Sequence, residues 1–183
     1  MLVPFIAICV PAMVWRLRRR GQVTAPRLVT GLLVCAYAAA VLDEVLLPDS
    51  IRATQLHDDV PWHVWMNLVP FGSDDLYGMW LNLLLFVPLG MALPLLFAGI
   101  SARRAVLIGF LVSLSIEVLQ ILGDLTISSG RVFDIDDLVS NTLGALAGYV
   151  LVRALLRIPA LARQAARFTW PVPAPREVSA AHR

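Results

Sequence analysis

The chain has 183 residues, of which 58% are hydrophobic and only 15% charged, with a mean hydropathy of +0.75 and a formal net charge of +2. Those shares lie outside the range of a soluble globular domain and describe an integral membrane protein. Two cysteines, Cys9 and Cys35, both lie inside apolar blocks and suggest small hydrophobic filler rather than a disulfide framework.

The apolar residues fall into blocks, most of them near the roughly 20 residues a helix needs to cross about 30 Å of hydrocarbon. The first, "MLVPFIAICVPAMVW" (1–15), carries Pro4 and Pro11 and runs straight into "RLRRR". A secretory signal would place its positive charge before the apolar run, so an N-terminal anchor that starts outside fits this order better. Further spans are expected at about 28–47, 78–98, 105–123 and 136–156. The fold class is therefore all-α: a polytopic transmembrane helical bundle of about five spans. It divides into an N-terminal span with its basic loop (1–27), a membrane domain (28–157) and a basic tail (158–183).

Charge orients the bundle. Every arginine except Arg52 and Arg131 falls on one side, together with a single acid, Glu177. By the positive-inside rule that side is cytoplasmic, which puts the N-terminus outside and the C-terminus inside. The tail is placed to touch anionic headgroups. It has neither a stacking aromatic pattern nor a recognisable binding module, so no nucleic-acid partner is expected.

Between the second and third spans, residues 48–78 hold Trp62, Trp65, Phe71 and Tyr77, an arrangement suited to the membrane interface. Within that loop Asn67 and Pro70 suggest a turn docking into the bundle. His57 and His63 stand near Asp58 and Asp59, but isolated loop histidines are more often solvated than metal-bound. No zinc spacing, phosphate loop or nucleophile elbow is present.

Polar residues inside the spans carry the chemistry. Ser113, Glu117, Gln120 and Asp124 share one face of the fourth span, and a carboxylate there calls for a bundle interior or a wet cavity. Asp43, Glu44 and Asn82 lie at comparable depth near the outer ends of the second and third spans, and Pro88 interrupts the helical hydrogen bonds after Asn82. In "GRVFDIDDLVSNTLGALAGY" (130–149), Asp134 or Asp136 suits the N-terminus of the fifth helix, whose dipole favours a carboxylate. Capping does not need three aspartates. Asp137 and Asn141 continue as a polar strip, and Gly144 and Gly148 form a small-xxx-small seam for close helix packing. The candidate binding residues are thus Asn67, Asn82, Glu117, Gln120, Arg131, Asp134, Asp136, Asp137 and Asn141, lining one outward-opening pocket.

In "NLVPF" (67–71), "NLLLFVPLGMALPLL" (82–96), "SLSIEVLQ" (113–120) and "GRVFDIDDLVSNTLGALAGY" the chain resembles the VanZ-like proteins over roughly residues 28–152. The resemblance implies a multi-pass protein of the bacterial inner membrane, in a family whose named member is associated with resistance to the glycopeptide teicoplanin. The family name supplies no mechanism. Neither the first span nor the arginine tail belongs to the resemblance.

Two function classes follow. In the first, the pocket binds or moves an envelope lipid or a glycopeptide-type ligand, with membrane lipids as the other partners. In the second, Glu117 and the Asp134/Asp136/Asp137 cluster act as acid, base or cation ligands on a lipid-linked substrate. No nucleophile is paired with a base, and neither a cofactor nor a full metal-ligand set can be read, so the first class ranks higher.

Overall fold

The computed structural model describes residues 2–46, 66–72, 75–127 and 133–170. Among them are six helices and one two-residue strand pair: α1 (Leu2–Arg19), α2 (Ala25–Leu46), β1 (Met66–Asn67), α3 (Leu76–Leu96), α4 (Ala102–Ile127), β2 (Phe133–Asp134), α5 (Ile135–Leu155) and α6 (Pro159–Phe168). The protein is all-α and, with four helices long and apolar enough to cross a membrane, a multi-pass membrane protein. These four stretches are Ala25–Asp43, Leu76–Leu96, Ala102–Gly123 and Ile135–Leu155.

The first of the five expected spans is a helix, but it is not one of these four. Its apolar run ends at Trp15, and Arg16, Arg18 and Arg19 occupy its last turn. α1 folds back along α2. Gly21, at φ 62, closes the helix: its N–H donates to Arg18 O at 3.0 Å and that of Gln22 to Leu17 O at 2.9 Å, the paired bonds of a glycine-terminated helix end. Leu17 is fully buried, and Gly31 of α2 faces Met13 so closely that a β-carbon there would collide with it.

The core is a sandwich of α3, α4 and α5. The α5 span is the most enclosed, 39% buried against 28% for the α4 span and 22% for the α3 span, so it is the central helix. Large apolar side chains such as Leu84, Leu111, Leu122, Val150 and Leu151 point outward, as lipid contact requires.

α3 and α5 run parallel along a glycine seam. A β-carbon on Gly144 would meet Leu83 O, one on Gly148 would meet Val87 O, and one on Gly90 would meet Ala145 O. The expected small-xxx-small pair is therefore half of the contact, and Gly90 of α3 completes it. Two apolar clusters flank the seam: Val41, Phe86, Ile116 and Ala145 at one level, and Leu93, Ile100, Ala105 and Tyr149 nearer the turn between α3 and α4. Tyr37 donates to Leu85 O at 2.8 Å and Tyr149 to Ile100 O at 3.0 Å, so both phenols tie neighbouring elements together.

Residues 159–170 of the expected tail are docked on the bundle. Pro159 starts α6, which is amphipathic and carries Arg163 and Arg167. Beyond it, Trp170 N–H donates to Leu95 O at 2.7 Å, Thr30 Oγ1 to Phe168 O at 3.1 Å and Arg27 Nε to Thr169 O at 3.1 Å.

The described arginines sit at the end of the bundle formed by the C-termini of α1, α3 and α5 and the N-termini of α2 and α4. The described acids lie toward the other end. With Cys9 and Cys35 replaced by alanine, a single cysteine at the exposed Tyr77 should react with an impermeant thiol reagent applied to intact cells, and one at Arg104 should not. The reverse labelling would invert the orientation drawn from charge.

Candidate functional site

The polar cluster is built at the mouth of α5. Asp134 has extended backbone angles and its carboxylate accepts the Asp136 N–H at 2.8 Å, so the expected capping role belongs to Asp134. Just before it, β2 pairs in parallel with β1, with Met66 opposite Phe133 and Asn67 opposite Asp134. This register brings Asn67 Nδ2 within 3.2 Å of both carboxylate oxygens of Asp134.

A second bond fastens the same strap. Asp136 is 1% exposed and its Oδ1 accepts the Phe71 N–H at 2.7 Å. Phe71 holds a left-handed backbone, φ 58, in a turn closed by Gly72 N–H donating to Val69 O at 3.0 Å. A bulky residue is uncommon in that region, and the anchoring carboxylate helps to hold it there. Residues 66–72 are thereby clamped to α5 at two points.

α3 and α4 supply the remaining sides. Asn82 Nδ2 donates to Asp137 Oδ1. Glu117, 1% exposed, accepts the Asp134 N–H at its Oε2, 3.2 Å away. Deeper in the bundle, Asn141 Nδ2 donates to the fully buried Ser113 Oγ at 3.0 Å, while the buried Asn141 Oδ1 has no hydrogen-bond donor among the described residues. Carboxylates and amides from β1, α3, α4, β2 and α5 thus converge on one end of the bundle.

Of the residues expected from sequence, Asn67, Asn82, Glu117, Asp134, Asp136, Asp137 and Asn141 are brought together, with Ser113 beneath them. Gln120 is buried on the same face of α4 but takes no part in these hydrogen bonds. Asp43 is half-buried and also stands outside the bonded set. Arg131 and the loop residues His57, Asp58, Asp59, Trp62, His63 and Trp65 lie outside the described residues, as do the side chains of Glu44 and Asp124.

The backbone N–H of Phe71 is a contributor that side-chain reading misses. The turn residues Pro70 and Gly72 around it were the available signal. Among the described residues the cluster is held by hydrogen bonds between its own members. No group of three or more His, Cys, Asp or Glu side chains there is placed to hold a metal ion.

Chemically the cluster is rich in acceptors. Each ionised carboxylate offers about four lone-pair sites, and the Asn67 and Asn82 amides and the N–H groups of Phe71, Asp134 and Asp136 are among the donors they meet. A complementary ligand would bring N–H or O–H groups.

The family model described as VanZ/LLP1 matches residues 33–157, a stretch that contains every member of the cluster. Searches of curated proteins and of solved structures return no match.

Proposed function

Because the chain belongs to the VanZ/LLP1 family, we propose that it is a bacterial inner-membrane protein of the cell envelope. In this reading its acidic cluster binds or moves an envelope lipid or a glycopeptide-type ligand. The observation that carries the proposal is the convergence of Glu117, Asp134, Asp136 and Asp137 at one end of an otherwise apolar bundle. Carboxylates in membrane spans are costly and rare, and packing alone needs none of them.

A cluster of carboxylates favours a ligand with amino or sugar hydroxyl groups, as glycolipids and glycopeptides have. Asn141 Oδ1 provides one more acceptor for which the described residues offer no donor. The strap 66–72 covers the cluster and is fastened by hydrogen bonds that a ligand's donors can replace. Lower teicoplanin susceptibility on expression is the phenotype the family resemblance leads us to expect.

The test is co-purification. Lipids bound to the purified wild-type protein and to a Glu117→Ala variant are identified by mass spectrometry. We expect a donor-rich lipid to be retained by the wild type and to fall about tenfold or more in the variant, the effect of losing one charge-assisted hydrogen bond. Identical lipid profiles from two equally well-folded proteins would reduce the cluster to a packing device.

A further inference from the structure

The arginine-rich end contains cavities that the acidic cluster does not touch. One of about 430 Å³ lies between the end of α1, the turn after α3 and the start of α4. Arg16, Arg20 and Arg104 line it, with Phe97 and Ile108 among its apolar walls and Trp170 at its edge. An adjoining cavity of about 770 Å³ shares Arg104 and Leu107 and continues past Phe110.

The guanidinium groups of these three exposed arginines have no protein partner among the described residues. Arg19 lies over the Trp15 ring, 4.2 Å from its centre, and Arg27 is bonded to Thr169 O. The described acids lie toward the opposite end of the bundle. Three like charges around one cavity repel unless an anion joins them, and guanidinium forks match phosphate oxygens.

The wall opposite the charge is built rather than incidental. Trp170 is held by its N–H to Leu95 O at 2.7 Å and by its indole Nε1 to Arg27 O at 3.4 Å, which fixes an amphipathic ring beside the arginines. Leu107, 55% exposed, carries the apolar lining from the charged cavity onto the outer face of α4.

We propose that this cavity is a binding site for an anionic membrane lipid. Its phosphate sits among Arg16, Arg20 and Arg104, and an acyl chain lies along Leu107 and Phe110. A free phosphate would use only the first half of the site, so the apolar groove identifies a lipid as the occupant. The inference does not depend on the acidic cluster.

The test uses the full-length protein in detergent, with phosphatidylglycerol titrated against phosphatidylcholine and bound lipid read by native mass spectrometry. Wild type should retain phosphatidylglycerol preferentially. The double variant Arg16→Gln/Arg104→Gln should hold it about 25-fold more weakly, with each interfacial arginine contributing about fivefold. Arg18→Gln/Arg157→Gln, at exposed positions that do not line the cavity, should behave as wild type.

Equal loss in the two double variants would reveal only diffuse surface charge and overturn the site. So would equal retention of the two lipids, or displacement of the lipid by inorganic phosphate. An independent measurement covers a poorly folding variant: brominated phosphatidylglycerol should quench the fluorescence of wild type more than that of Trp170→Phe. Equal quenching in the two would also overturn the proposal.

Discussion

Gly144→Val should lower the stability of the purified protein by about 3 kcal/mol, because the added side chain meets the backbone carbonyl of Leu83 rather than a side chain that could turn away. In a thermal scan that corresponds to an apparent Tm roughly 6–12 °C below wild type. Gly148→Val should do comparable damage against Val87 O, and Gly90→Val against Ala145 O, since all three positions lie on the contact between α3 and α5.

The proper control is a glycine needed for conformation rather than for space. Gly21 has φ 62, and a β-carbon at that position would meet nothing within 4 Å. Asparagine tolerates that backbone region, so Gly21→Asn should cost little. If Gly144→Val and Gly21→Asn shift the Tm equally, close approach of α3 and α5 is not what selects glycine at the seam.

The seam also shows how far sequence reading reaches. Gly144 and Gly148, one turn apart, are visible as a small-residue pair, but Gly90 becomes their partner only when α3 lies beside α5. The face holding Ser113, Glu117 and Gln120 follows from helical periodicity, and all three are buried as expected. Asp134 as the cap is local in the same sense.

What stayed hidden is non-local. The pairing of Asn67 with Asp134 joins segments 67 residues apart in the chain through strands of two residues each, too short to leave any alternation. Periodicity likewise reveals that Asn82 and Asp137 are polar residues inside spans, but not that one donates to the other. α1 is legible in part: its apolar run and terminal arginines are visible in the sequence, but its packing along α2 is not. Docking of residues 168–170 uses the side-chain donors of Arg27, Thr30 and Trp170, but the acceptors are all backbone carbonyls, which every sequence possesses and which therefore do not reveal the pairing.

Changing Asn82 to aspartate should have the largest effect in the polar cluster. The wild-type amide donates to Asp137 Oδ1; a second carboxylate supplies repulsion in place of the donor, at a depth where solvent screens poorly. We expect a loss of about 3 kcal/mol or more, read as a lower Tm and reduced yield of folded protein. Asn82→Ala, which removes the donor without adding charge, should cost less, about 1–3 kcal/mol.

The exchange Asn82→Asp with Asp137→Asn then separates two roles of the pair. It restores one amide and one carboxylate at hydrogen-bonding distance, so it should recover most of the stability lost in the single variant, as expected for directly coupled residues. The carboxylate, however, now projects from α3 instead of α5. If Asp137 faces a donor-rich ligand, lipid retention and any effect on teicoplanin susceptibility should remain low in the exchanged protein although its Tm has recovered. Recovery of retention together with stability would show that the pair serves only to fasten α3 to α5, and would move the ligand contacts to Glu117, Asp134 and the strap that Asp136 holds through Phe71.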